Sequence, residues 1–337
     1  MADGKVRFDF TRDEQNKLVD DAYIIDECSM LEIPLAWKFF RALPRHARVV
    51  LVGDVNQLPP VGPGAFLMDL IASGAVPTTS LTKILRQDGG GALVKACHAI
   101  KDGREPRIAN GPEDDLRFLD VPEAADIMAT VLDLVAGGIA ENPKFARLDP
   151  LRDIQVISPT RDKGDLSCLA LNKALQGRLN PPTDPALAEP GKLRPGDKVI
   201  QTRNDYERDI VNGDIGYVKR IAKDPATNRE MIEAEFEDTD GKPFMVSVPR
   251  WENNLELGYA LTVHKYQGSE APVVIIPLHS SQPSMLMQRN LIYTAISRAR
   301  QLCVLVGQRE MLGKAVRRVS AQNRVTHLKD FIQQKER

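Results

Sequence analysis

Apolar and polar positions follow one another along this chain in two distinct rhythms. Near the start, Ala22-Tyr-Ile-Ile25 and Val49-Val-Leu-Val52 are short unbroken apolar runs that stop abruptly at polar residues. Runs of this length bounded by turn signals read as buried strands of a parallel sheet. Between them Leu35, Phe39 and Leu43 recur at helical spacing behind Pro34, a residue suited to a first helical turn. After the second run, Phe66, Leu67, Leu70 and Ile71 mark another amphipathic helix, stopped at Gly74. Ser80 to Gln87 reads as a third strand, followed by the connector Asp88-Gly-Gly-Gly91. Helical patterns cover 92–102 and 123–137, with a Pro/Gly/Asp-rich loop between them. A strand at Ile154–Ser158 leads to Pro159-Thr160-Arg161 and a helix around Leu166–Leu175.

The rhythm changes after residue 180. Pro181, Pro182, Pro185, Pro190 and Pro195 mark a surface loop or domain edge. Short β runs follow at Lys198–Thr202, Ile215–Ile221, Met231–Phe236 and Phe244–Val248, punctuated by Asn212-Gly213-Asp214 and Asp240-Gly241. This is the pattern of a small antiparallel barrel inserted into an α/β frame. The frame resumes with strands at Tyr259–Val263 and Val273–Pro277, a helix near Arg289–Ala299 and a strand at Gln301–Gly307. The expected division is a first α/β domain over 1–87, a second built from 88–196 and 258–337, and an inserted barrel over 197–257.

Composition changes this picture only at its edges. A chain of 337 residues suits about two domains, and 42% hydrophobic with 27% charged residues is ordinary for a globular protein. A net charge of −1 leaves no global basic signature, so nucleic-acid contact must come from local patches. The stretch from Arg289 to Arg337, with eleven Lys or Arg against three acids, is one such patch, although solvated helix faces share that composition. Cys28, Cys97, Cys168 and Cys303 form no CxxC pair, which argues against a zinc site and for a reducing compartment. His46, His98, His279 and His327 lack metal-ligand spacing. No apolar run reaches the ~18 residues of a membrane span, and no signal-peptide core follows Met1. A cytoplasmic location is the expectation.

Candidate chemistry gathers at the ends of the predicted strands. Ligands in open α/β sheets sit just beyond the strands' carboxyl ends, so Asp26, Glu27, Asp54 and Gln57 are expected to project into one crevice. An adjacent Asp-Glu pair there suits Mg²⁺ and a polarised water, because hard cations take carboxylate oxygens and retain waters. Two core strands that merely end in solvated acids are the plainer alternative, and the spacing of the two halves disfavours it. Farther on, Tyr259 through Glu270 joins a strand to a polar turn. Leu291 through Arg300 reads as a helix with Arg298 near its end. An arginine brought to a phosphoryl-transfer site stabilises charge developing on the γ-phosphate.

Taken in order, these blocks resemble the RecD-like superfamily 1 helicases, which include the α subunit of exodeoxyribonuclease V and the stand-alone RecD-like helicases. The resemblance runs from about Lys17 to Leu328. Asp26 through Met30 stands where that family has motif II, and Gly53-Asp54 with Gln57-Leu58-Pro59-Pro60 where it has motif III. Arg86-Gln87 is similar to motif IV, Thr262 through Glu270 to motif V, and Tyr293 through Arg300 to motif VI. Gly196 through Gly216 resembles the family's SH3-like barrel. The implied fold is α/β and P-loop NTPase-like: two RecA-like helicase domains, the first truncated, with the barrel inserted in the second. The resemblance implies that Asp26 holds Mg²⁺, Glu27 activates water and Gln57 senses the γ-phosphate, with Gly53 and Asp54 beside the nucleotide. It also implies that Arg86 and Arg298 are arginine fingers and that Glu270 meets the ribose beside Gly268. Thr262 and His264 would face the nucleic-acid track. Tyr266, where the family has a small serine, either adds a stacking surface worth ~1–3 kcal/mol or simply packs. Trp251 and Tyr206 either stack on bases or complete a small core.

One family element is missing from this sequence. No G-x-x-x-x-G-K-[ST] loop, whose amides and lysine hold nucleotide phosphates, occurs in the 337 residues. The expectation is therefore the C-terminal part of an ATP-dependent 5′→3′ helicase on single-stranded DNA, inactive alone. ATP and Mg²⁺ would bind only with a separate N-terminal segment, in cis or in trans, and RecB/RecC-like subunits are candidate partners. The alternative is a non-hydrolysing nucleic-acid-binding or scaffold module derived from a helicase.

Overall fold

The computed structural model describes residues 10–81, 91–111, 113–183, 189–252, 254–319, 324 and 326–335. The chain divides into two compact units, breaking after Lys83 and again after Arg318, with the C-terminal stretch joining the first. That differs from the sequence reading, which carried the second domain to the C-terminus.

In the first unit, strand β1 (Ala22–Ile25), helix α1 (Ile33–Ala42), strand β2 (Arg48–Leu51) and helix α2 (Phe66–Ser73) follow in order. β1 and β2 pair in parallel, Ala22 opposite Arg48 and Ile25 opposite Leu51. The helical crossover through α1 is what parallel pairing requires. Tyr23 meets Phe39 of α1 edge-on, with ring centroids 6.0 Å apart, and Phe40 meets Phe66 at 5.8 Å, so aromatic contacts join α1 to β1 and to α2. The strands were expected to be buried on both faces, and they are not. Ile24 is 74% exposed and Val50 53% exposed, so one face of this sheet is open among the described residues. The C-terminal helix α8 (Leu328–Lys335) packs against α2. Arg324 donates to the carbonyls of Gly62 and Gly64 at 2.7 and 3.0 Å. The basic C-terminal stretch thus spends this cation on backbone carbonyls.

The second unit is a five-stranded, wholly parallel sheet with an antiparallel sheet set into it. In chain order it contains α3 (Ala92–Lys101), β3 (Leu116–Asp120), α4 (Ala124–Asp133), β4 (Ile154–Ser158) and α5 (Cys168–Leu179). Then come β5 (Lys198–Gln201), β6 (Ile215–Lys223), β7 (Glu230–Glu237), β8 (Pro243–Pro249), β9 (Leu255–Leu257) and β10 (Ala260–Thr262). β11 (Ala271–Leu278), α6 (Arg289–Ile296), β12 (Ala299–Gly307) and α7 (Arg309–Arg317) complete it. The parallel sheet runs β10-β4-β11-β12-β3. β11 is a continuous apolar run buried almost throughout, as central parallel strands covered by helices must be. β3 falls in the stretch read as a loop from sequence.

The antiparallel sheet runs β8-β7-β6-β5-β9, with a core of its own that includes Val199, Val218, Ile232, Phe236 and Val248. Asp197 ties this sheet to the α/β layers. Wholly buried, it accepts from Gln176 Nε2, the Arg194 amide, Asn180 Nδ2 and the Tyr259 hydroxyl at 2.7 to 2.9 Å. Its neighbour Lys198 is buried too and donates to the Ile154 carbonyl at 3.3 Å.

Candidate nucleotide and nucleic-acid sites

In the first unit the two motif turns adjoin because their strands do. β1 ends at Ile25 and β2 at Leu51, neighbours in register. The Val52 amide donates to Ile25 O, and the Cys28 amide returns to Val52 O, both at 2.8 Å. These bonds continue the ladder one residue past the strands and hold the Asp26–Glu27 turn against Gly53. A Cβ on residue 53 would lie 2.8 Å from Leu67 Cδ2 and 2.9 Å from the Ser29 amide nitrogen. Only glycine lets these backbones come so close.

Glu27 itself sits at φ 51°, in the left-handed region that costs a non-glycine residue roughly 1–3 kcal/mol. Its amide donates to Asp26 Oδ1 at 2.7 Å. The bend directs the chain into a single helical turn at Cys28–Met30. Asp26 is exposed and Glu27 half-buried, so both carboxylates remain accessible. Asp54 accepts from the Asn56 amide and from Asn56 Nδ2, each at 2.9 Å, closing the turn that carries Gln57. Oxygen donors from Asp26 and Glu27 fit a hard divalent cation such as Mg²⁺. Cys28 lies in this turn but is buried, its thiol donates to Ile25 O at 3.1 Å, and burial pushes its pKa up. It packs rather than reacts.

In the second unit, motifs V and VI meet at the ends of β10 and α6. Thr262 Oγ1 accepts from the Lys265 amide at 3.2 Å and Thr262 O from the Tyr266 amide at 3.0 Å, so the residues after β10 curl into a tight turn. Gly268 takes φ 84° with open space around its Cβ position. Glycine serves conformation there, not close packing. His264 is exposed, and the protein mass around its ring lowers its pKa by desolvation. Glu270 pairs with Arg300 at 3.4 Å.

Tyr266 takes the packing alternative of its two expected roles, whereas Arg298 looks different in this setting. Tyr266 is only 3% exposed, so its ring packs inside and offers no stacking face; burial raises its hydroxyl pKa. Arg298, also 3% exposed, donates through Nε to Thr294 O at 3.2 Å and through Nη1 to Ser269 O at 3.3 Å. It stands past the end of α6, where the guanidinium knits motif VI to the motif V turn. Arg86 and the predicted strand and connector around it lie outside the described residues. Trp251 and Tyr206 are 52% and 68% exposed, so neither completes a core.

Sequence reasoning missed Asp197 and Asn172. Asn172 exchanges two hydrogen bonds with the Ala260 backbone, both 2.8 Å, and so registers α5 against β10 beside Thr262. Its place beside Leu171 on the buried face of α5 is the one local signal for it, shared with Gln176. All four cysteines are buried and unpaired with one another. No described helix is long and apolar enough to cross a membrane.

Comparison with known proteins finds three family matches along the chain, the first of which crosses the break after Lys83. Residues 8–116 match an AAA domain family, 171–236 the SH3 domain of ATP-dependent RecD-like DNA helicases, and 257–306 the UvrD-like helicase C-terminal domain. The ATP-dependent RecD2 DNA helicase of Deinococcus radiodurans is 36% identical over 280 residues, covering 83% of this chain and 35% of its own length. The RecBCD enzyme subunit RecD of Mycobacterium tuberculosis is 29% identical over 323 residues, covering 92% of this chain and 53% of its own. This chain thus spans between about a third and a half of these curated relatives. A crystal structure of Bacteroides Pif1 bound to ssDNA aligns at 18% identity and a TM-score of 0.46, over 94% of this chain and 75% of that one. Three family matches in this order, with relatives of that kind, show that the chain belongs to the RecD-like helicases.

Proposed function

We propose that this chain is the C-terminal part of an ATP-dependent 5′→3′ DNA helicase that moves on single-stranded DNA. The observation that supports it most is the locked pair of turns at the carboxyl ends of β1 and β2, with Asp26 and Glu27 accessible on one and Asp54 and Gln57 on the other. In this reading Asp26 would hold Mg²⁺, which when bound would shield phosphate charge and make a nearby water more acidic. Glu27 accepts a proton from the attacking water and Gln57 senses the γ-phosphate. Gly53 and Asp54 shape the nucleotide edge, while Gly268 and Glu270 border the ribose. Arg86 supplies positive charge to the γ-phosphate, as does Arg298 once its guanidinium leaves Ser269 and Thr294. Thr262 and His264 border the strand.

The nucleotide phosphates need a cradle that these 337 residues do not carry as a G-x-x-x-x-G-K-[ST] loop. In this reading a further segment, in cis or in trans, provides it, and RecB/RecC-like subunits are candidate partners in the cytoplasm. Steady-state ATP hydrolysis by this chain with single-stranded DNA is expected near background. Robust turnover, abolished by Glu27→Gln, would overturn the dependence on a separate cradle. The second reading, a binding module without hydrolysis, rests on the same sequence observation. It stands if a chain supplied with the cradle binds single strands yet hydrolyses no ATP.

A further inference from the structure

A cleft of about 570 Å³ lies wholly within the second unit, lined by Arg161, Asn172, Lys173, Glu256, Thr262 and Lys265 among others. That volume falls inside the roughly 300–1,000 Å³ range of ligand sites. Its cations come from three separate elements: Arg161 follows β4, Lys173 stands on α5, and Lys265 belongs to the turn after β10. On β9 Glu256 stands half-buried between the buried Leu255 and Leu257, and all three border the cleft. One of its carboxylate oxygens accepts from Arg161 Nη2 at 2.8 Å, and the other from Lys265 Nζ at 3.0 Å. A single residue of the antiparallel sheet thus neutralises two cations of the α/β layers. Two anionic oxygens bridging two cations present the same charge and acceptor pattern as the free oxygens of a phosphodiester.

Resting on the reading that Thr262 and His264 border a single-strand track, we propose that Glu256 is an internal phosphate mimic. It occupies the phosphodiester subsite of Arg161 and Lys265 until a strand displaces it. Thr262 lines the same cleft, and the Asn172–Ala260 bonds keep that turn in register with α5. The side chains of Arg161 and Glu256 are 67% and 42% exposed, and that of Lys265 is 27% exposed. Exposed ion pairs of this kind stabilise little, so exchanging the carboxylate for a backbone phosphate costs little. The carboxylate's charge nevertheless opposes every strand that enters.

The test is fluorescence anisotropy of the 337-residue chain with a labelled oligothymidylate over a range of salt concentrations. Glu256→Gln is expected to tighten binding roughly two- to five-fold at low salt. It should also steepen the salt dependence, because both freed cations then exchange counterions for phosphates. Arg161→Gln or Lys265→Gln should weaken binding and shrink the gain from Glu256→Gln. Asp240→Asn, which removes the same charge from a hairpin tip, should change affinity less than about two-fold. A Glu256→Gln chain that binds no tighter overturns the proposal. So does an equal gain from Asp240→Asn, or a full gain in the Arg161→Gln background. Displacement of the oligonucleotide by ATP at equal phosphate concentration would give the subsite to free nucleotide and overturn the strand assignment. If the unaltered chain binds no oligonucleotide even at low salt, the single-strand reading falls and this inference with it.

Discussion

The turns after β1 and β10 both follow the carboxyl end of a parallel strand, yet they spend their side chains differently. After β1, the Asp26–Glu27 turn is shaped almost entirely by backbone: two amide bonds across to β2, a left-handed Glu27 and a glycine opposite. Its carboxylates stay accessible. After β10, the Thr262–Glu270 turn has main-chain bonds as well, but its side chains are drawn inward, with Tyr266 and Arg298 buried and Glu270 paired with Arg300. The difference follows from the surrounding sheets. Two half-exposed strands offer little interior, so the first turn relies on its own main chain. Five strands covered by helices supply buried partners, and the second turn's polar groups are drawn into them. Polar atoms held by main-chain geometry remain available to a ligand, whereas those that complete a core are already engaged.

The largest expected effect lies in the second unit. Asp197→Ala leaves Gln176, Asn180 and Tyr259 without their buried acceptor. Removing one partner from such a network costs about 3–5 kcal/mol, measurable as a lower urea midpoint. Loss of less than about 1 kcal/mol would mean the two sheets of that unit hold together without it.

Matched isoleucine truncations probe the contrast directly. Ile275 on β11 is fully buried and Ile24 on β1 is 74% exposed. Ile275→Ala should cost about 2–5 kcal/mol in urea unfolding, and Ile24→Ala about 0.5 kcal/mol or less. Equal losses would show that the open face of β1–β2 is covered in solution. Gly53→Ala tests the backbone-built turn: its Cβ would meet Leu67 and the Ser29 amide at 2.8 and 2.9 Å. Overpacking of this kind costs about 1–3 kcal/mol, and a shift of backbone amide resonances at 26–29 should accompany it.

The smallest effect is a pH dependence. Burial pulls the Lys198 ammonium from its ordinary 10.5 down to about 8, with Asp149 and Asp153 pulling weakly the other way. A folded-state pKa below the unfolded one means the folded chain binds fewer protons between those values. The cost of burying the ammonium is therefore full below about pH 8 and is relieved as pH rises towards 10.5. Relative to Lys198→Met, the unaltered chain should gain about 1 kcal/mol of stability between about pH 8 and 9. A constant difference across that range would show that Lys198 is solvated.

Much of the α/β frame was legible from local pattern. The strand at Ile154–Ser158 was read with its observed bounds, and α1 and α2 were placed to within a residue or two, because apolar periodicity, Pro34 and Gly74 are local signals. β3 was not read. Its five residues follow a Pro/Gly/Asp-rich stretch, and its only described strand neighbour, β12, begins at Ala299, far along the chain. β9, three residues long, was missed for the same reason. Among site residues, the adjacency of Asp26–Glu27 to Gly53–Gln57 was legible because both follow short apolar runs. The engaged state of Arg298 was not, since α6 stops at Ile296 and the arginine lies beyond it.

By itself, the sequence determined the order of strand-and-turn units, the identity of the polar groups at their ends, and the glycines their bends demand. Those are properties of neighbours along the chain. Tertiary structure alone decided which polar groups are spent. Tyr266 became core, Arg298 a tie between turns, and Asp197 a buried junction reaching residues 17 to 62 positions away. Burial and hydrogen-bond satisfaction depend on what other segments bring to a place, and no pattern within one segment carries that information.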